Sequence, residues 1–201
     1  MARTFDNDTA NYLSSALAPV TAAPLTMAAW VNRSSFNTVD SILTITSPLQ
    51  TAAFLMRVSV ADAVLVRALA VIGGTGNATT TTTITATGWN HCCGVFRSST
   101  SRDAFLIGGG KGSYSDDRTP LLLDRTRIGV DEVVAGPFNG GLAEVALWNI
   151  ALTDAEVALL AKPVSPLFVR PEGLVAYWPI IGRYSPEIDV VGGAHMTITG
   201  T

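Results

Sequence analysis

Charge is scarce in this chain. Asp, Glu, Lys and Arg together make up 14% of its 201 residues, against roughly a quarter in an average soluble domain. A surface this poorly ionised is either covered by a partner or by copies of itself, or is made polar by Thr, Ser, Asn and Gly. The 13 basic and 16 acidic residues leave a net charge of −3 with no cluster of Lys and Arg, which excludes the footprint of a nucleic-acid binder. Aromatics are few, at 7%, so Val, Ile, Leu and Ala must do most of the packing. Long apolar runs are missing: the most apolar stretch, Val58 to Ile72, is broken by Asp62 and Arg67 and is too short to span a bilayer, so no membrane anchor is expected. The opening residues, Met1 to Asp8, have none of the apolar character of a secretory leader, which predicts use without export. Cysteine is limited to the adjacent Cys92 and Cys93. On a strand these face opposite ways and could bond only through a strained ring, so free thiols and a reducing compartment are expected. With His91 and His195 the only histidines, a Cys/His metal site lacks ligands.

What the chain has is 48% hydrophobic residues, 18 glycines and 10 prolines. Short apolar runs separated by Gly, Pro, Asn, Asp and Ser predict an all-β, two-sheet antiparallel sandwich. Strands are expected at Leu25 to Asn32, Ser41 to Thr46, Ala53 to Val60, Val64 to Ile72, Thr80 to Thr85, Trp89 to Phe96, Asp103 to Ile107, Arg125 to Gly129 and Gly141 to Trp148. Met56 and Val58 alternate with Arg57 and Ser59 before Ala61-Asp62-Ala63, and Val64 and Val66 resume the pattern, which predicts a hairpin. The five threonines from Thr79 to Thr83 suit an edge strand. Thr153-Asp154-Ala155-Glu156 is a capping box, predicting one short helix near 153–161. Pro163, Pro166, Pro171 and Pro179 predict an extended surface segment, with closing strands at Gly173 to Trp178 and Met196 to Ile198. No linker divides the chain, so residues 1–201 are expected to form a single domain.

Several segments together resemble the concanavalin A-like, laminin-G-like jelly-roll domains of bacterial and phage proteins. Phe5-Asp6 with Tyr12-Leu13 looks like the opening pair of strands, and Leu25 to Val31 resembles the first long core strand. Trp89-Asn90-His91 is similar to the Trp-x-His strand. Ala104 to Gly109 resembles the strand and turn that usually ends in Asn-Gly, with Gly108 in place of the Asn. Phe138 to Asn149, followed by Ala151 to Val157, looks like the Phe-x-Gly strand, its Trp and its capped helix. Gly173 to Pro179 is similar to the closing segment. The resemblance implies a jelly-roll sandwich over nearly the whole chain, on which many functions occur.

The residues offer little catalysis. A retaining glycosidase needs two carboxyls about 5 Å apart, commonly at alternate positions of one strand; the strand from Gly141 to Trp148 offers only Glu144. Neither histidine sits in a nucleophile-elbow context. His91 shares a strand face with Trp89, Cys93 and Val95 and reads as a hydrogen-bonded core or edge residue. Gly108 to Ser113 has a phosphate-loop look, but no amphipathic helix follows, so it reads as a hairpin turn. No cofactor is required. Calcium is admitted by the resemblance, with Asp116, Asp117, Asp131, Glu132 and Asn139 as oxygen donors, although none lies in a calcium-loop spacing. Trp30, Trp89, Trp148 and Trp178 fall at strand positions and read as packing more than as sugar platforms. The Asn-x-Ser/Thr triplets at Asn7, Asn32 and Asn77 would matter only on a secretory route.

These readings converge on a non-enzymatic structural protein of a phage virion. The expectation is a capsid decoration (cement) protein, assembled in the host cytoplasm, contacting the major capsid protein and copies of itself through a weakly charged surface. The alternative is a carbohydrate-binding, lectin-like module, including host-surface adhesion from a tail or fibre.

Overall fold

A computed structural model describes residues 2–70, 74–182 and 185–199. Among them, two seven-stranded antiparallel sheets pack face to face. In the first, β1 (Arg3–Asp6), β12 (Asn139–Trp148), β3 (Leu25–Arg33), β8 (Asn90–Ser98), β9 (Ser101–Leu106) and β10 (Gly109–Ser115) are neighbours in that order, and β13 (Leu174–Trp178) also pairs with β12. The second runs β14 (Thr197–Thr199), β2 (Tyr12–Ser15), β11 (Arg125–Ile128), β4 (Asp40–Thr46), β5 (Ala53–Val58), β6 (Ala63–Ala70) and β7 (Gly74–Thr83). The all-β reading holds. So does the β5–β6 hairpin, which pairs Val58 with Val64 and turns through Asp62 at positive φ.

Side-chain alternation builds the core. Leu25, Met27, Ala29 and Val31 of β3 face the second sheet, and Phe54, Met56 and Val58 of β5 face the first. Phe54 meets Phe96 edge to face across the sandwich at 4.9 Å. Each such fully buried side chain contributes about 1.5–3 kcal/mol relative to exposure. The intervening residues Ala28, Cys93, Val95, Ala146 and Trp148 face outward and are buried again, beneath α1 (Asp154–Leu160) and the segment that follows it. Part of the first sheet is therefore covered on both faces.

Helix α1 is held at its start by the expected capping box: Thr153 accepts from the Glu156 N–H while Glu156 accepts from Thr153 N–H. Arg97 bridges Asp103 at 2.6 Å and Asp154 at 2.9 Å, and Lys111 reaches the same two carboxylates, which pins the helix to the sheet. Burial pushes the Asp103 carboxyl up, but hydrogen bonds from Ser113 and Arg97 and the charges of Arg97 and Lys111 outweigh it and hold it below its ordinary value. A depressed carboxylate stabilises the fold above its unfolded pKa and loses that contribution as pH falls through the folded value. Melting temperature followed from pH 6 to pH 2 should thus fall more steeply for the wild type than for Asp103→Asn. Parallel curves would remove Asp103 from the acid response.

Three expectations need correction. Gly109 to Ser115 is a strand, β10, and only the start of that run turns. Gly110 and Gly112 are there because β10 lies hard against β7: a Cβ on Gly112 would stand 1.7 Å from the Thr79 carbonyl oxygen, and one on Gly110 1.9 Å from the Thr82 hydroxyl. The threonine strand starts at Gly74 and ends at Thr83, earlier at both ends than Thr80 to Thr85, and it closes its sheet as an edge strand should. The proline segment is not extended throughout; Pro166–Phe168 and Pro171–Gly173 are 3₁₀ turns with proline at the first position, where its missing N–H costs nothing. Ile72, the expected end of the sixth strand, lies outside the described residues.

The tryptophans divide. Trp148 and Trp178 are fully buried and donate to the carbonyls of Val169 and Ala194. Trp30 is half-buried and Trp89 is 45% exposed, so these two pack at the surface and not in the core. Cys92 and Cys93 are free and buried, one in each layer.

Candidate functional site

The layer carrying α1 leaves part of the first sheet's outer face open, and there a groove of about 450 Å³ is lined by Ala2, Trp30, Trp89, Ala143, Glu144 and Pro163. Trp30 reaches it because even-numbered residues of β3 point outward, away from the core set. Trp89 precedes β8 and lays its indole over Gly141; a Cβ there would meet the ring at 3.2 Å. Beneath Trp30, His91 packs edge-on at 5.5 Å. His91 is buried, which pushes its pKa down to about 4, and its Nδ1 has no hydrogen-bond partner. It is a core-edge ring as expected, supporting an indole, but its Nδ1 lacks the hydrogen bond expected of it.

Glu144 is placed by backbone irregularity. Between Ala143 and Ala146 the pairing of β12 with β3 slips, and Glu144 adopts φ +53°. The left-handed region is sparsely used by non-glycine residues, and bulges commonly re-aim a side chain at a functional surface. The Tyr177 hydroxyl donates to Glu144 Oε2 at 2.5 Å. Burial, then this bond and the charge of Glu144, push the Tyr177 phenol well above its usual value, so it remains a fixed donor. The result is two accessible indole surfaces, one half-buried carboxylate, and no cation among the lining residues. Such a surface can stack a flat apolar face and accept hydrogen bonds from hydroxyls. Two-carboxylate hydrolysis needs a second acid about 5 Å away, and Glu144 alone among the lining residues is acidic.

The five calcium candidates are used differently. Asp116 pairs with Arg118 at 2.5 Å, and Arg102 donates to its backbone carbonyl; the Asp117 carbonyl accepts from Arg118. Asp131 accepts the N–H groups of Val133 and Ala135. Glu132 is buried with Oε2 unpartnered, and Asn139 donates to Ser35. Among the described residues no three Asp, Glu, His or Cys side chains gather as a metal-holding group. Sequence reasoning had Glu144 only as a lone acid, and it read Trp30 and Trp89 as packing and not as lining a groove.

Comparison with known proteins bears on this geometry. The family model described as the concanavalin A-like lectin/glucanases superfamily matches residues 6–158. A search of curated proteins finds no match. Among solved structures, a protein from Bacteroides ovatus described as carbohydrate-binding is similar at a TM-score of 0.69 and 19% identity over 99% of this chain; the chain spans 58% of that protein. The native heptameric SAP-like pentraxin of Limulus polyphemus is similar at 0.65 and 16% identity, covering 98% of this chain and 94% of its own. The carbohydrate-binding module CBM40 of the Ruminococcus gnavus IT-sialidase is similar at 0.61 and 16% identity, covering 81% and 98%. The jelly-roll fold is common to them.

Proposed function

Because the chain belongs to the concanavalin A-like lectin/glucanases superfamily, we propose that it is a non-catalytic carbohydrate-binding module whose glycan lies in the groove between Trp30, Trp89 and Glu144. The observation that carries this reading is a pair of accessible indoles beside a single carboxylate clamped by a phenol. Sugar rings present apolar C–H faces that stack on indole and equatorial hydroxyls that donate to carboxylate. The names of structural neighbours that carry carbohydrate-binding descriptions support it.

Calorimetric titration with a panel of neutral oligosaccharides tests the reading. At least one should bind, and Trp89→Ala should weaken it by about tenfold or more, the usual scale for a central aromatic contact. Glu144→Gln should weaken it by a similar factor through loss of a charge-assisted bond. Trp89 is exposed, so the variant should melt within a few degrees of the wild type. Binding that is indifferent to both substitutions would place the sugar elsewhere.

A second reading, a decoration protein on a phage capsid, retains one specific support. Among the described residues nine charged side chains are buried, and Ile181, Ile188, Val190 and Val191 are 42–50% exposed. A titration with no heat from any glycan would leave this as the better account.

A further inference from the structure

On the opposite side of the molecule, the outer face of the second sheet holds a recess of about 240 Å³ lined by Tyr12, Ser14, Ser15, Ala16, Arg125 and Arg127. Ser14 and Arg127 are register partners on β2 and β11. Tyr12 and Arg125 each lie two residues along the same strands, so all four side chains share one face. Arg127 is only 6% exposed, yet no carboxylate among the described residues comes within ion-pair distance of it. Its Nη1 donates to the backbone carbonyls of Asp131 and Glu132, at 3.3 and 2.8 Å. Its Nε and Nη2 have no acceptor among the described residues.

The contrast with Arg33 is direct. That guanidinium is fully buried and is met by two carboxylates. Arg127 is hydrogen-bonded only to carbonyls and feels the carboxylates of Asp131 and Asp124 from beyond ion-pair distance, so its charge is less fully met than in a direct pair, and a guanidinium presents its donors in a fork shaped for oxyanions. Arg125 adds a second guanidinium at the rim. Its Nε and Nη2 are held by Asp124 at 2.8 and 3.2 Å, which fixes the side chain in place. The Tyr12 and Ser14 hydroxyls supply further neutral donors.

We propose that this recess is a binding site for a small oxyanion, the carboxylate of an acidic sugar or an inorganic sulfate or phosphate, with Arg127 as its principal partner and Arg125, Tyr12 and Ser14 around it. It is independent of the indole groove, which carries the opposite charge.

Calorimetric titration with sodium glucuronate, sodium sulfate and glucose tests the site. Glucuronate or sulfate should bind with a dissociation constant in the millimolar range, more weakly as sodium chloride is raised, and glucose should not displace it. Whichever anion binds more tightly identifies the source. Arg125→Gln should weaken binding about tenfold and Tyr12→Phe by a smaller factor, while Trp89→Ala should leave it unchanged. Both recess positions are partly exposed, so these variants test the site even if Arg127→Gln fails to fold. Absence of binding by both anions to folded wild type, displacement of the bound anion by glucose, or anion binding insensitive to both Arg125→Gln and Tyr12→Phe would each overturn the proposal.

Discussion

Arg33→Met is expected to lower the free energy of unfolding by about 3–5 kcal/mol, the range seen when one partner of a buried ion pair is removed. Arg33 stands at the end of β3 in the first sheet, and its side chain is fully buried. It donates through Nε to Asp40 at 2.6 Å and through Nη1 to Asp62 at 2.7 Å. Its Nη2 reaches the Thr38 carbonyl and hydroxyl, each at 3.2 Å. Asp40 opens β4 and Asp62 sits in the β5–β6 turn, so one guanidinium ties the first sheet to two elements of the second. Asp40 is fully buried with Oδ1 unpartnered, and burial lifts its carboxyl above the ordinary value despite Arg33. At Asp62, on the rim, burial raises the carboxyl, but hydrogen bonds from Arg33 and Asn37 and the charge of Arg33 together outweigh it, and its carboxyl is lowered. Methionine would fill the volume but leave Asp40 uncompensated. Urea denaturation should register the loss, and Arg33→Met with Asp40→Leu should recover much of it, because Asp62 can turn to water. A loss under about 1 kcal/mol in the single variant would show that water already compensates Asp40.

The second large effect is expected at Asp189. Its Oδ1 accepts the backbone N–H groups of Tyr177, Val191 and Gly192 at 2.9, 3.0 and 3.1 Å, and its Oδ2 accepts that of Ala194 at 2.9 Å. The residue is 3% exposed. One carboxylate thereby folds residues 189–194 against β13 and positions the Ala194 carbonyl that Trp178 donates to. Asp189→Ala strands several donors, each worth about 1–3 kcal/mol when left unmade, so a total of about 3–5 kcal/mol is expected. Asp189→Asn keeps one acceptor oxygen and should lose less. Equal losses in the two variants would point to packing and not to hydrogen bonding.

Sequence alone carried the strands with apolar alternation, the β5–β6 hairpin and the capped helix, because each rests on local chemistry. It did not carry the site. Residues Leu25 to Ala29 of β3 are buried on both faces, so nothing in their hydrophobicity separates the core side from the side on which Trp30 emerges. Trp89 is exposed because Gly141, 52 positions away in sequence, leaves room beneath its ring. Glu144 points into the groove through a register slip at a residue that is not glycine, and no turn signal marks it. Strand β10 was hidden for the opposite reason: its Gly109 to Ser115 lacks aliphatic residues, and contact with Thr82 and Thr79 demands Gly110 and Gly112. The Arg127 recess depends on which carboxylates do not come near, a property of the folded chain only.

The placement of Cys92 and Cys93 gives this protein two clocks on one peptide bond. Cys92 is sealed between the sheets and Cys93 beneath the helix layer, and burial pushes the Cys92 thiol up to about 12 and Cys93 higher still. Neither reacts until its own cover lifts. Lifting the helix alone uncovers Cys93, whereas Cys92 waits for the sandwich to part, so neighbouring sulfurs time a local opening and a global one separately.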